Sequence, residues 1–375
     1  MVFHICRVGL RGAQVKLSAV KFGGVTKVAG GLASKMAPLV LVQPSHRGMF
    51  SSTDNLLTFF TGHKFMHKFD ERSKIIVVDG NIGCGKSTFS QDLAAKLGMK
   101  HIPEAHIHYL DELELGPGKK FDKKFIGDVS IDKFYEDPFA KDGHSFRFQL
   151  MMYAMRFRQY ADVLQHLLET GQGVVMERSV YSDFVFLEAM QKMKYFKQHC
   201  SDYYQEIKGI SLYRLRQPHL IIYLDAPVDV LQKRIKERGR STETAIPDDY
   251  LQHIEDSYKK RFLPEISETS EVLTYDWKEA PMAIDKVIED IDMLKFEHLP
   301  WNKDDDTTLD RLYRFITNKY KVATAMEIQK YIPEITFGAQ EAYDMTREFE
   351  EIHNKQFAPG YNLKPEESKW KLLFK

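Results

Sequence analysis

Gly80, Gly83, Gly85, Lys86 and Ser87 stand at a spacing that suits phosphate. From Gly80 they complete the pattern G-x-x-x-x-G-K-S/T, between an apolar run that ends in glycine and a segment with helical periodicity. The glycines let the backbone curl until successive N–H groups point inward at phosphate oxygens. The helix that starts near Lys86 adds its positive end. Lys86 is placed to reach the outer phosphates, and the Ser87 hydroxyl to ligate Mg²⁺. The chemistry this implies is nucleotide binding.

Phosphoryl transfer needs more: cations over the developing charge and a group that accepts the acceptor's proton. Glu104, in "IPEAHIHY", has two readings, a base for a substrate hydroxyl or a carboxylate at a helix start. In "ERS", residues 177–179, Glu177 is a candidate Mg²⁺ ligand and Arg178 a bridge to phosphates; the plainer reading is a salt bridge at a strand end. Arg234, Arg238 and Arg240 in "RIKERGRSTE" form either a lid over a triphosphate or a solvated helix face. Gln149 lies among Phe148, Met152, Tyr153 and Phe157. It is either an amide that reads a base edge or the polar edge of a core stripe.

Strands and helices must bring these groups together. "SKIIVVDG" at 73–80 is short, apolar and rich in β-branched residues, as a buried parallel strand should be. A helix follows with apolar positions at Phe89, Leu93, Ala94 and Leu97 and a C-terminal Gly98. Further strands are expected in "KHIPEA", "GVVMERS" (173–179), "PHLIIYLDAP" (218–227) and "VLTYDW" (272–277), with a long helix from Ser145 to Gly171. Alternating strands and helices predict an α/β fold with a parallel five-stranded sheet of P-loop type and helices on both faces. Ligands then sit at the carboxyl ends of the strands. A polar, glycine-bearing stretch runs from about 111 to 130.

The 375 residues are 43% hydrophobic and 28% charged, with zero formal charge unevenly spread. Met1 to Thr53 contains no Asp or Glu but seven basic residues, which leaves 46 basic against 53 acidic residues and a net −7 on the remainder. Nucleic-acid binding is not expected of such a body. The acid-free basic start reads as a mitochondrial presequence over residues 1–50, with "HRGMFSS" as the processing region. No apolar run is long enough to cross a bilayer. Three cysteines, Cys6 among them in the presequence, supply neither a disulfide framework nor an iron–sulfur site, and no flavin-type glycine motif is present. The folded body is expected over 70–293, followed by a C-terminal extension over 294–375 without strand–helix repeats.

Taken together, these motifs resemble the deoxyribonucleoside kinase family. The carrying residues are "GNIGCGKST", so that Asn81, Ile82, Cys84 and Thr88 join the loop; Glu104; "YEDP" with Tyr135; Phe148-Gln149; "ERS"; and Arg234 to Glu243. The resemblance implies that Glu104 is the general base and that Arg178 assists it. It implies that Tyr109, Tyr135, Gln149 and Glu243 contact the nucleoside, and that ATP, ADP or a deoxynucleotide binds with Mg²⁺ on Ser87 and Glu177. Ala105-His106 after Glu104, and Asp225 in "YLDAP", depart from the family's pattern. The extension, with "YIPEITFGA" and "FAPGYN", is similar to that of the kinase-like accessory subunits of mitochondrial NADH:ubiquinone oxidoreductase, complex I. That likeness implies a non-redox subunit on the matrix side of the membrane arm, with other complex I subunits as partners. A working mitochondrial deoxynucleoside kinase is the alternative.

Overall fold

Strand β1, Ile75–Gly80, is buried at every position, as are the four residues of β3, Val174–Glu177. Unbroken burial means that both faces of the sheet are covered, which is why these segments read as continuous apolar runs. The computed structural model describes residues 62–335, apart from 110–111, 113–128, 241, 280–283, 297–299 and 329. The expected presequence, most of the polar stretch from 111, and residues 336–375 of the extension lie outside the described residues.

In chain order, β1 is followed by α1 (Lys86–Leu97), β2 (Lys100–Ile102), α2 (Ile131–Glu136), α3 (His144–Thr170) and β3. Then come α4 (Phe184–Lys192), α5 (Gln198–Ser211), β4 (Leu220–Asp225), α6 (Val228–Arg238), α7 (Asp248–Ser257) and α8 (Leu263–Ile266). β5 (Glu271–Asp276), α9 (Ile284–Met293), α10 (Asp306–Ile316) and α11 (Lys319–Thr324) follow, with short 3-10 and π turns between and after these elements. The five strands form one sheet in the order β2-β3-β1-β4-β5, every pair parallel. This is the expected α/β architecture. β1 and β3 are neighbours whose following crossovers leave in opposite directions, and a crevice opens at their carboxyl ends.

Local chemistry sets the element ends. α1 stops at Gly98 (φ 68°), whose N–H caps the carbonyls of Ala94 and Ala95. β2 is shorter than the apolar reading because Pro103 follows it and has no N–H for the ladder. α3 begins one residue earlier than expected, behind Gly143 at φ 78°.

The described part of the extension packs on the core. Trp301 stacks on buried His219, ring centroids 4.5 Å apart, and donates from Nε1 to Gln217 O at 2.8 Å. α10 is capped by Asp305, which accepts from Thr308 N at 2.7 Å. It lies against α3, where Tyr313 donates to Glu169 at 2.9 Å, and Lys319 of α11 donates to Asp162 at 2.6 Å. Arg216 grips Asp304 with Nε and Nη2, at 2.8 and 2.5 Å. Residues 62–68 pack on α10 as well: Phe65 N donates to Asp306 at 2.7 Å, and the Phe65 ring lies 5.3 Å from that of Tyr313.

Candidate functional site

The turn between β1 and α1 is forced by its glycines. At Gly80 a Cβ would lie 2.8 Å from the backbone oxygen of Leu224, and at Gly83 (φ 79°) 2.8 Å from the Ile235 side chain. No other residue lets the loop pass so close to β4 and α6. Asn81 anchors the turn, its Nδ2 donating to Leu251 O at 2.9 Å and its Oδ1 accepting from Ile82 N at 2.8 Å. Lys86 opens α1 and is buried; Nζ curls back to Asn81 O at 2.7 Å and to Cys84 Sγ at 3.6 Å. Burial, and then the neighbouring Arg178, lower the pKa of this ammonium. Ser87 donates to Glu177 Oε2 at 2.6 Å. A hydroxyl and a buried carboxylate that converge in this way offer the hard oxygen ligands Mg²⁺ takes, so the residues present fit the ion.

The loop opens into a cavity of about 800 Å³. Glu104 and Arg178 meet on its wall. Arg178 directly follows β3 with φ 54°, a conformation rare for a residue with a Cβ. It is held there by its N–H on Val78 O (3.0 Å) and by Nη2 on Gly80 O (3.0 Å). Its Nη1 donates to Glu104 Oε2, while Arg156 Nη2 donates to Glu104 Oε1 at 2.9 Å. Phe186 lies beneath both guanidiniums, 4.9 and 5.0 Å from its ring centroid. Burial alone would raise the Glu104 carboxyl, but Arg178, Arg156 and Lys86 outweigh it and hold the group at about 2.

Arg156 also donates to Asp183, which is fully buried and accepts from Gln149 Nε2 at 2.8 Å and Tyr204 Oη at 2.5 Å. Gln149 thus reaches the cavity wall with its amide donor already engaged. Tyr135 lines the cavity, and burial followed by Glu243 raises its phenol. Arg238 and Arg240 converge on Glu243, the latter at 3.1 Å. Arg234 lines the cavity as well but spends its guanidinium on backbone oxygens, Trp277 O at 2.8 Å and Lys278 O at 3.1 Å. Ile82 and Thr88 line it too, whereas buried Cys84 does not. Tyr109 is placed elsewhere: it is not among the lining residues, and its hydroxyl donates to Asp162 on α3 at 3.0 Å. Asp225, unexpected by family pattern, is paired with Lys259 at 2.9 Å.

Sequence reasoning missed Arg156, Asp183, Phe186 and His101. Arg156 had a readable signal, since seven residues after Gln149 it falls on the same helix face two turns on. The others are brought in by strand order and by the turn after β3.

Glu104 supplies a pH test. Its folded pKa of about 2 is below the ordinary 4.5, so its stabilising effect is complete above pH 4.5 and vanishes as pH falls through about 2. Glu104→Gln should therefore lower unfolding free energy at pH 7 by about 2 kcal/mol, after discounting for the side chain's 32% exposure. The deficit should shrink steadily from pH 4.5 to 2. Urea unfolding across that range measures it, and a deficit that does not change with pH would show that the ion pairs contribute nothing.

The deoxynucleoside kinase family profile matches residues 76–297. The Bos taurus mitochondrial protein NADH dehydrogenase (ubiquinone) 1 alpha subcomplex subunit 10 is 44% identical over 329 residues, covering 86% of this chain and 95% of its own length. Its Mus musculus counterpart is 47% identical over 307 residues, covering 82% and 86%. A deoxyguanosine kinase of Dictyostelium discoideum is 29% identical over 211 residues, 56% of this chain and 66% of that kinase. By its sheet and phosphate loop the chain belongs to the deoxynucleoside kinase family, and over most of its length to the group formed by NADH dehydrogenase (ubiquinone) 1 alpha subcomplex subunit 10.

Proposed function

We propose that this chain is a non-redox accessory subunit of mitochondrial respiratory complex I, held peripherally on the matrix side, with a kinase-like domain that retains a nucleotide site. The carrying observation is the extent of the bovine match. An alignment of 329 residues cannot fit inside residues 76–297, so the likeness runs well beyond the kinase segment. Among the described residues no helix is long and apolar enough to cross a membrane, so attachment would run through other subunits. Import would use the basic presequence, and the role would be to support assembly or stability of the complex.

The retained site rests on the glycine loop, Lys86 and the arginines around the cavity. ATP, ADP or a deoxynucleotide would lay its phosphates on the loop, with Ser87 and Glu177 holding Mg²⁺. When bound, the cation supplies positive charge against the phosphate oxygens. A working deoxynucleoside kinase remains the second reading, favoured by Glu104, Arg178 and Glu177 converging on one cavity. Against it, a carboxylate held at about 2 is a poor base, since proton transfer works best with a pKa near the working pH. For transfer, a substrate hydroxyl would have to donate to Glu104 beside two guanidiniums that already hold its charge.

The test is native separation of detergent-solubilised mitochondria, followed by ligand-dependent melting of the purified chain. The expected results are co-migration with NADH dehydrogenase activity and ATP·Mg²⁺ stabilisation of about 3 kcal/mol at a hundredfold excess over Kd, absent in Lys86→Ala. Migration as a free species, with turnover of a deoxynucleoside that Glu104→Gln abolishes, would establish the kinase instead.

A further inference from the structure

We infer that His101 is a positioning residue for the cation site: it holds one oxygen of Glu177 so that the other is presented, beside the Ser87 hydroxyl, to a divalent cation. This rests on the nucleotide-site reading above and extends it to a side chain outside the phosphate loop and the "ERS" turn.

The geometry follows from strand register. β2 pairs with β3 so that His101 lies opposite Val175. Val175 and Glu177 point to the same face of the sheet, being two residues apart on one strand. The imidazole therefore stands one step below the carboxylate, and its Nε2 lies 3.3 Å from Glu177 Oε1. The other oxygen, Oε2, accepts from Ser87 at 2.6 Å. Glu177 is only 3% exposed, so water is a poor substitute for either partner.

Ser90 Oγ lies 3.0 Å from His101 Nε2 and donates its own hydrogen to Ser87 O at 3.1 Å. With that hydrogen on Ser87 O, the lone pairs of Ser90 face the imidazole, and an Nε2 hydrogen goes to Ser90 Oγ while Glu177 Oε1 lies beside it at 3.3 Å, an electrostatic contact. Ser87 would offer a cation a lone pair of its hydroxyl, and His101 would be the contact of Glu177 that takes no part in ligation itself. A carboxylate with one oxygen held beside an imidazole N–H has its other oxygen aimed; without that contact it can rotate toward Arg178 or Lys86, both of which line the same cavity.

The experiment measures ATP affinity of the full chain in EDTA and in excess Mn²⁺. The factor by which Mn²⁺ tightens ATP is compared among wild type, His101→Leu, His101→Gln and Glu177→Gln. Mn²⁺ electron paramagnetic resonance on the same samples reports cation occupancy directly. Removal of an outer partner of a metal ligand typically weakens the metal ten- to hundredfold. That factor should therefore fall ten- to hundredfold in His101→Leu, recover in part in His101→Gln, whose amide can donate from a similar place, and be lost in Glu177→Gln. A factor in His101→Leu within twofold of wild type overturns the inference alone. Wild-type protein that binds no ATP in either condition overturns the nucleotide-site reading and this inference together. Because each variant is referred to its own metal-free affinity, a general weakening of the site does not mimic the expected result.

Discussion

A chain ended at residue 299 is expected to give no cooperative unfolding transition and little soluble protein. Seven apolar side chains of the described extension, Trp301, Leu309, Tyr313, Ile316, Val322, Ile332 and Ile335, are each no more than 8% exposed. At about 1.5–3 kcal/mol for each buried large side chain, their loss amounts to roughly 10–20 kcal/mol. That equals or exceeds the 5–15 kcal/mol by which a whole domain is usually stable. The polar losses act in the same direction. Truncation removes one partner each of His219, Glu169, Asp162 and Arg216, and uncovers the face of α3 on which α10 sits. Circular dichroism melting of residues 1–299 beside the full chain measures the effect. A truncated chain that unfolds cooperatively within about 2 kcal/mol of the full one would show that the extension is merely laid on the surface. The expected result would instead make the extension part of the fold, so that its presence does not by itself require a binding partner.

What could be read from the sequence, and what could not, divides on a physical line. Strands buried on both faces leave short apolar runs, and glycines with positive φ mark the loop and the helix ends; "IIVVDG" and Gly98 carried that information locally. The phosphate loop was legible for the same reason, since its chemistry is confined to nine consecutive residues, 80–88. Strand order was not legible, because the placement of β3 between β2 and β1 depends on how crossovers pack. Everything that depends on strand order was hidden with it. His101 meets Glu177 only because β2 lies beside β3. Arg234 looked like a phosphate ligand among three arginines, but its target is set by where the chain leaves β5, at Trp277 and Lys278. The family resemblance implied Tyr109 as a pocket wall, yet α3 supplies an acceptor for its hydroxyl, Asp162.

Arg156→Leu is expected to cost about 3–5 kcal/mol at neutral pH, the largest effect of any single side chain around the cavity. The reason is Asp183, which is 0% exposed and keeps only Gln149 and Tyr204 once the guanidinium is gone. Even with Arg156 present, burial raises this carboxyl above its ordinary 3.8. Without the cation the rise is steeper, and a carboxyl raised in the folded state favours folding most at low pH. The deficit of Arg156→Leu should therefore be smallest near pH 4 and grow toward pH 7, a rise that falls in a higher pH window than the one expected for Glu104→Gln, which is complete by pH 4.5. Guanidinium unfolding at both pH values checks the sign. The double variant Arg156→Leu/Asp183→Asn should recover a large part of the loss, because the amide keeps the shape without a buried charge. If it recovers nothing, the cost lies in the packing of Arg156 on Phe186 rather than in the charge pair. The same guanidinium holds Glu104 Oε1, so the substitution also frees one of the two clamps on the candidate base. One residue thus joins the stability of the core to the state of the site. A scaffold that needs only its fold has reason to keep Arg156 whether or not the cavity turns over a substrate, so the presence of this arginine is no proof of catalysis.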